Sequence, residues 1–204
     1  THWDRGTEYY AIEWRGTWKR EQGGAVLGHA IHNHDLLCAV FGPVKRLSAF
    51  GATRVNPIEV EDCASISFEM ENGALATSSI TLGSASNTTR LRFCFENLMA
   101  QSGDIPYAPA QGDWTFMARE PVTQDQIDEC IAGVTNPLSG FTGLFSAIAD
   151  RLDGVPSSAV TISDGRRSLE LVSAIYHSMR TSQYCTMPLD DSHPLYEGWL
   201  PDST

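Results

Sequence analysis

Ala64-Ser65-Ile66-Ser67-Phe68-Glu69-Met70-Glu71-Asn72-Gly73-Ala74-Leu75 is the stretch on which the fold turns. Ala64, Ile66, Phe68 and Met70 alternate with Ser65, Ser67 and Glu69, the period of a strand with one buried and one wet face. Glu71-Asn72-Gly73 then reverses the chain, and a second strand runs from Leu75 to Leu82. Asn72-Gly73 suits a primed hairpin turn, because both residues tolerate positive φ. Upstream, Leu47 and Ala49 alternate with Arg46 and Ser48, so residues 44–95 read as an antiparallel meander. Leu91 to Phe95 and Trp114 to Ala118 add short strands.

Outward from the meander the period lengthens. Val26, Ala30, Leu37 and Val40 lie at helical spacings between Gly23 and the stop at Gly42-Pro43, which predicts one helix of about four to five turns. Toward the C-terminus, Leu144, Ile148 and Leu152 recur every fourth residue. Leu169, Val172, Ile175, Tyr176 and Met179 form a further stripe behind an N-cap at Ser163 or Asp164. The segment from Trp3 to Trp14, with Tyr9-Tyr10-Ala11-Ile12 at its centre, reads as an opening strand, and Arg15 to Gln22 as a loop. Strands in a run with helices on either side predict an α+β fold: an open, mostly antiparallel sheet with helices packed on one face. Residues 1–204 are expected to form a single domain ending in a polar tail at 190–204.

With 204 residues, 42% of them hydrophobic and 19% charged, the chain has the composition of an ordinary globular protein. A net charge of -11 without a Lys/Arg stripe argues against nucleic acid as a partner. The five cysteines, Cys38, Cys63, Cys94, Cys130 and Cys185, are odd in number and widely spaced, and read as free thiols of a reducing compartment. No apolar run suggests a membrane partner and nothing near Thr1 resembles a signal peptide, so a cytoplasmic location is expected. The sequence contains neither Gly-x-Gly-x-x-Gly nor Gly-x-x-x-x-Gly-Lys-Ser/Thr, and therefore no phosphate cradle of its own. It has no Gly-x-Ser-x-Gly elbow either.

The densest polar cluster is Gly28-His29-Ala30-Ile31-His32-Asn33-His34-Asp35. At about 100° per residue, His29, His32 and Asp35 share a broad helix face and His34 points away from it. An imidazole there could exchange the proton that leaves a hydroxyl during alcohol oxidation, with Asp35 orienting it. The same three residues could ligate a metal, although no matching second ligand pair is evident and none is assigned. They could equally form a hydrogen-bonded, solvated face. Trp14-Arg15-Gly16-Thr17-Trp18-Lys19 is the second candidate, because indole faces stack on sugar C–H groups while Arg15 and Lys19 bond hydroxyls or an acid. Its alternative is a loop with Trp14 and Trp18 packed on the core and its charges in water.

These residues in this order bear a family likeness. Trp14-Arg15-Gly16-Thr17-Trp18, Glu21-Gln22-Gly23-Gly24-Ala25-Val26-Leu27, His32-Asn33-His34-Asp35-Leu36-Leu37 and Phe41-Gly42-Pro43-Val44 resemble the opening of the C-terminal domain of Gfo/Idh/MocA oxidoreductases. Val60-Glu61-Asp62-Cys63-Ala64 with Glu71-Asn72-Gly73-Ala74-Leu75 is similar to that family's central hairpin. Asp164-Gly165-Arg166-Arg167-Ser168-Leu169-Glu170-Leu171, Ile175-Tyr176-His177-Ser178 and Met187-Pro188-Leu189 resemble its last helix and strand.

The resemblance implies a glyceraldehyde-3-phosphate dehydrogenase-like C-terminal domain whose N-terminal Rossmann half, absent from this chain, holds NAD or NADP and supplies a lysine. It implies action on a CH–OH group of a sugar, polyol or related hydroxy compound, and a homo-oligomer, dimer or tetramer, built through the open sheet face. The chain alone is expected to be inactive. The family's acid/base position falls on His32, with His29, Asp35, Trp14, Arg15, Trp18 and Lys19 left for substrate. Many members carry Asp four residues before that histidine, where this chain has Gly28, so a non-catalytic sugar-binding or assembly module is the alternative.

Overall fold

The computed structural model describes residues 1–134 and 138–201, which divide into two compact units. Residues 1–90, 104–109 and 166–204 make the first unit, and 91–103 with 110–165 the second. The last three positions of the expected tail lie outside the described residues.

The first unit is built on a six-stranded sheet. In chain order its strands are β1 (His2–Asp4), β2 (Val44–Ala52), β3 (Cys63–Met70), β4 (Leu75–Thr81) and β5 (Gly83–Thr88), with the short C-terminal strand Cys185–Thr186 at one edge. Their spatial order is β5-β1-β4-β3-β2 and then Cys185–Thr186, and only the β1–β4 pair is parallel. The alternation of β3 is realised side chain by side chain: Ala64, Ile66, Phe68 and Met70 are buried while Ser65 and Ser67 are exposed. Cross-strand pairing of Ser65 with Ser79 and of Ser67 with Thr77 gives the opposite face a hydroxyl lining.

Two helices cover the apolar face. The first begins as a π-helical turn, Val26–Ala30, and continues as an α-helix, Ile31–Phe41. The second is the helix Ile162–Thr181, of which the part from Arg166 belongs to this unit. Ala25, Val26 and Ala30 from the first and Leu171, Ala174 and Ile175 from the second meet Leu47, Ile66, Phe68, Met70 and Ile80 in one core. Each fully buried Leu, Ile, Phe or Met side chain contributes about 1.5–3 kcal/mol over leaving it in water. The mostly antiparallel sheet with helices on one face is therefore as the alternation predicted.

Several local expectations are corrected. The strand expected over Trp3 to Trp14 is only His2–Asp4; Arg5 N–H closes the ladder on Leu82 O at 2.9 Å, and Thr7–Tyr10 winds into a helical turn after Gly6. That turn sends Tyr9 toward His29 while Tyr10 packs on the core. The loop expected over Arg15 to Gln22 contains a second helical turn, Trp18–Glu21. The hairpin turn is not a primed one: Gly73 alone has positive φ, +87°, with Gly73 N–H bonded to Met70 O and Met70 N–H to Ala74 O. Asn72 instead caps the turn, its Oδ1 accepting from Ala74 N–H at 2.9 Å.

The second unit holds a separate three-stranded sheet, Arg92–Cys94, Leu98–Ser102 and Trp114–Ala118 in that order. The sequence indicates the outer two as additions to the meander and gives no sign of the middle one. Its polar ends, Gln101 and Ser102, follow only one buried apolar residue, Ala100, which leaves no alternation to read. Trp114 stacks on Phe93 with ring centres 5.8 Å apart. Helix Gln124–Ala132 follows, started by a Thr123/Gln126 capping box, and then Gly140–Leu152. The long helix from Ile162 is capped earlier than expected: Thr161, not Ser163 or Asp164, precedes it, and Asp164 Oδ2 accepts from Thr161 N–H and Oγ–H.

Candidate functional site

The first unit places two polar clusters at the start of the helix that carries the histidines. Gly23 and Gly24 let the chain enter this helix against Glu61: a Cβ on Gly24 would run into the Glu61 carbonyl oxygen. Ala25 N–H donates to that carbonyl at 2.8 Å. The Glu61 carboxylate then accepts from Gly24 N–H (3.2 Å), Val26 N–H (2.9 Å) and the Tyr176 hydroxyl (3.1 Å), so the free N–H groups of the first turn are capped by a buried acid. Burial raises the Glu61 pKa, and the surrounding donors work against that rise. Burial and the neighbouring Glu61 charge push the Tyr176 hydroxyl pKa up as well.

The π-helical turn changes the phase of the rest of the helix. A π turn takes more residues than an α turn, so faces drawn at the α-helical angle do not carry through it. His29 is buried at 7% exposure, its ring edge-on to Trp3 at 4.9 Å and its Nε2 3.5 Å from the Tyr9 hydroxyl. His32 is exposed. Asp35 is exposed too and accepts from Ser168 Oγ at 3.0 Å. His34 faces the sheet, buried on Phe68, with Nε2 2.9 Å from Ser78 Oγ. Among the described residues no group of three or more His, Cys, Asp or Glu is arranged to hold a metal ion.

Around His29 lies a shell of rings and guanidinium groups. Arg15 donates to the Tyr9 hydroxyl and sits over two rings, Tyr9 at 3.8 Å and Trp14 at 4.3 Å. Its carboxylate partner is Glu21 at 3.7 Å, which also accepts from Gly16 N–H. Arg5 lies between the rings of Trp3 (4.7 Å) and Tyr9 (5.0 Å). Burial first, and then the charges of Arg5, Arg15 and His32, push the His29 pKa down to about 4, so its imidazole is neutral at pH 7. Burial and, secondarily, the N-terminal ammonium take His34 to about 4 as well. A cleft of about 490 Å³, lined by Thr7, Tyr10, Thr17, Asn56 and Glu59 among others, has Arg15 on its wall.

Of the candidates from sequence, the fold thus gathers Arg15, Trp14, His29 and His32. It takes Trp18 elsewhere, its ring against Tyr176 at 5.5 Å and its backbone N–H donating to Glu59 Oε2, and leaves Lys19 exposed. Arg5, Tyr9, Asn87 and Tyr107 belong to the cluster without standing out in the sequence. They reach it through contacts up to 102 residues apart in the chain, for which sequence offers no local signal beyond the aromatic composition of residues 3–14.

Residues 1–100 match the family model described as the GFO/IDH/MocA C-terminal domain. No curated protein matches the sequence. Among solved structures the chain is similar to the WlbA dehydrogenase of Chromobacterium violaceum in complex with NADH and UDP-GlcNAcA, at 30% identity and TM-score 0.72 over 93% of this chain and 53% of that one. The WlbA dehydrogenase of Bordetella pertussis, with the same two ligands, is 28% identical at TM-score 0.71 over 92% of this chain and 53% of that one. Aldose-aldose oxidoreductase of Caulobacter crescentus, complexed with glycerol, shares the fold at TM-score 0.69 and 18% identity, over 91% of this chain and 53% of that one. The chain spans about half the length of these relatives. Residues 1–100 thus match the Gfo/Idh/MocA C-terminal domain, and the chain shares the fold of oxidoreductases of that type.

Proposed function

We propose that this chain is the substrate-binding half of an NAD(P)-dependent oxidoreductase that transfers hydride at a CH–OH group of a sugar, polyol or related hydroxy compound. The observation that carries it is the exposed imidazole of His32 at the rim of an aromatic and cationic cluster whose other histidine, His29, is held neutral. Trp14 and Tyr9 give ring surface for sugar C–H groups, and Arg15 gives donors for hydroxyls. The NADH and sugar-nucleotide complexes of the two WlbA neighbours support the nicotinamide cofactor and the sugar class.

The described residues do not fit the dinucleotide itself. They contain no glycine-rich strand-to-helix turn, and the N-terminus of the histidine-bearing helix is already occupied by the Glu61 carboxylate. The cofactor's place is therefore in the further half of a longer protein, where the nicotinamide ring supplies the hydride exchange. This chain's part is to bind and orient the hydroxyl and to move its proton: His32 takes the proton as the hydroxyl becomes a carbonyl and returns it in the reverse direction. The hydroxyl-lined sheet face, with Phe50 72% and Leu75 80% exposed on it, is the surface for homo-oligomer formation.

The non-catalytic sugar-binding module is kept as the second reading because of Gly28, where many family members have Asp. A Cβ at Gly28 meets nothing within 4 Å, so packing does not demand glycine there. The two readings separate on His32→Ala in the full-length protein. As an enzyme it loses about 10²- to 10⁴-fold in kcat while its affinity for the nicotinamide cofactor stays within about twofold. Unchanged turnover sinks the role of His32.

A further inference from the structure

Arg5 is a buried cation with no anion beside it. It is 8% exposed, and none of the ion pairs among the described residues includes it. Its donors meet neutral acceptors: Nη1 donates to Asp4 O at 2.7 Å and to Asn87 Oδ1 at 3.2 Å, and Nη2 to the Tyr107 hydroxyl at 2.7 Å. Nε is buried without a partner. Both hydrogens of Nη1 are thus used and Nε–H is unspent, while Nη2, on the Nε–H side of the group, holds the Tyr107 phenol oxygen, with the Tyr9 hydroxyl a further neutral side-chain partner of Arg5. Two adjacent N–H donors form the fork that takes two oxygens of one oxyanion.

The surroundings add positive charge. Arg15 lies over the same Tyr9 ring, and the carboxylate nearby, Glu21, is paired with Arg15 and not with Arg5. A buried, unpaired charge is costly to fold around and is retained where something outside the chain completes it. The cover over the fork is a surface side chain. Tyr107, 62% exposed, leans on Trp3 with ring centres 4.6 Å apart and offers Nη2 only a neutral phenol oxygen. An anionic oxygen makes the stronger, charge-assisted bond in its place.

We propose that Arg5, with Arg15 beside it, is the specificity element of the sugar site, so that the substrate is an acidic sugar whose oxyanion, a carboxylate or a phosphate, displaces the Tyr107 hydroxyl from Arg5. This rests on the reading of the cluster as the substrate site. It adds the substrate class: neutral sugars and polyols bind in the same place more weakly.

The test is isothermal titration of the 204-residue chain with glucose, glucuronate, glucose 6-phosphate and inorganic phosphate at low and moderate salt. Glucuronate or glucose 6-phosphate binds at least about tenfold tighter than glucose, the advantage shrinks as salt rises, and whichever acid is favoured identifies the oxyanion. Arg5→Gln abolishes the advantage, Arg5→Lys restores part of it, and Tyr107→Phe leaves acid binding equal or tighter. Arg15→Gln, which leaves Arg5 in place, narrows the advantage and serves if Arg5→Gln does not fold. Equal binding of glucose and both acids, or an advantage that survives Arg5→Gln, overturns the acidic class and leaves the sugar site standing. Inorganic phosphate binding as tightly as the sugar acids overturns it too, as a bare anion site. Absence of binding by every sugar overturns this proposal together with the substrate-half reading.

Discussion

Two buried polar clusters sit within a few residues of each other along the same helix, and they are built on opposite principles. At Glu61 a buried acid is matched donor for donor by Gly24, Val26 and Tyr176. At Arg5 a buried base meets only neutral oxygens and keeps an unsatisfied Nε; Nε of Arg15 and Nδ1 of His29 nearby are unsatisfied as well. A fully matched buried group holds a fold together, whereas an unmatched one is a standing cost that a binding partner relieves. The contrast assigns the first cluster to architecture and the second to recognition, and it can be broken by substitution.

The largest effect is expected at the matched acid. Glu61→Ala strands the Val26 N–H and the Tyr176 O–H in the core, Gly24 N–H keeping the Tyr176 oxygen as acceptor, and at about 1–3 kcal/mol for each unmet group the loss is about 4 kcal/mol. Urea unfolding would show it as a lower midpoint at unchanged slope; a midpoint within error of the parent would mean that water or a shifted side chain replaces the acid.

Acid should act next, each of the two neutral histidines contributing less than the carboxylate of Glu61. An unperturbed histidine titrates near about 6.5, and His29 and His34 are held at about 4 in the fold. Below the unfolded value the unfolded chain takes up protons that the folded chain refuses, so their contribution is complete above about pH 6.5 and is lost as pH falls toward 4. The loss reaches about 3 kcal/mol apiece at about pH 4. The groups facing His29 are Arg5, Arg15 and His32, and His34 feels the N-terminal ammonium. Unfolding midpoints measured between pH 7 and pH 4 should therefore slope downward, less steeply in His34→Gln. Parallel slopes for parent and variant would remove His34 from the account.

The smallest effect is the most pointed. Arg5→Met keeps the stem that packs between Trp3 and Tyr9 and deletes the unpaired charge, so stability should stay within about 1 kcal/mol of the parent or rise, read as an unmoved or higher thermal midpoint. A loss of about 3 kcal/mol or more would show that Arg5 is matched after all and belongs with Glu61 in the architecture.

The part of the fold that can be read from sequence is the part whose signal is periodic and local. Ile66, Phe68 and Met70 announce the sheet, and Ile175 and Met179 the helix laid over it. The middle strand Leu98–Ser102 and the helix Gln124–Ala132 escape such a reading, because each buries only one or two side chains and leaves no stripe. In the site, residue type is informative and angle is not. His29, His32, Trp14 and Arg15 stand out for what they can do, but the π-helical turn at Val26–Ala30 puts His29 out of phase with His32 and Asp35, which follow it in the α-helix. Arg5 joins the cluster through Asn87 and Tyr107, contacts that exist only once β1 has paired with β5 and the chain has returned at Tyr107.

The central claim is that this chain holds the substrate while another half holds the cofactor. The most direct measurement is isothermal titration of NAD and NADP into the 204-residue chain and into a chain extended upstream by roughly 120 to 150 residues, about one ordinary domain. Binding by the extended chain alone is the predicted result; binding of either nucleotide by the 204 residues unaided would contradict it and place a cofactor site among the residues assigned to substrate and fold.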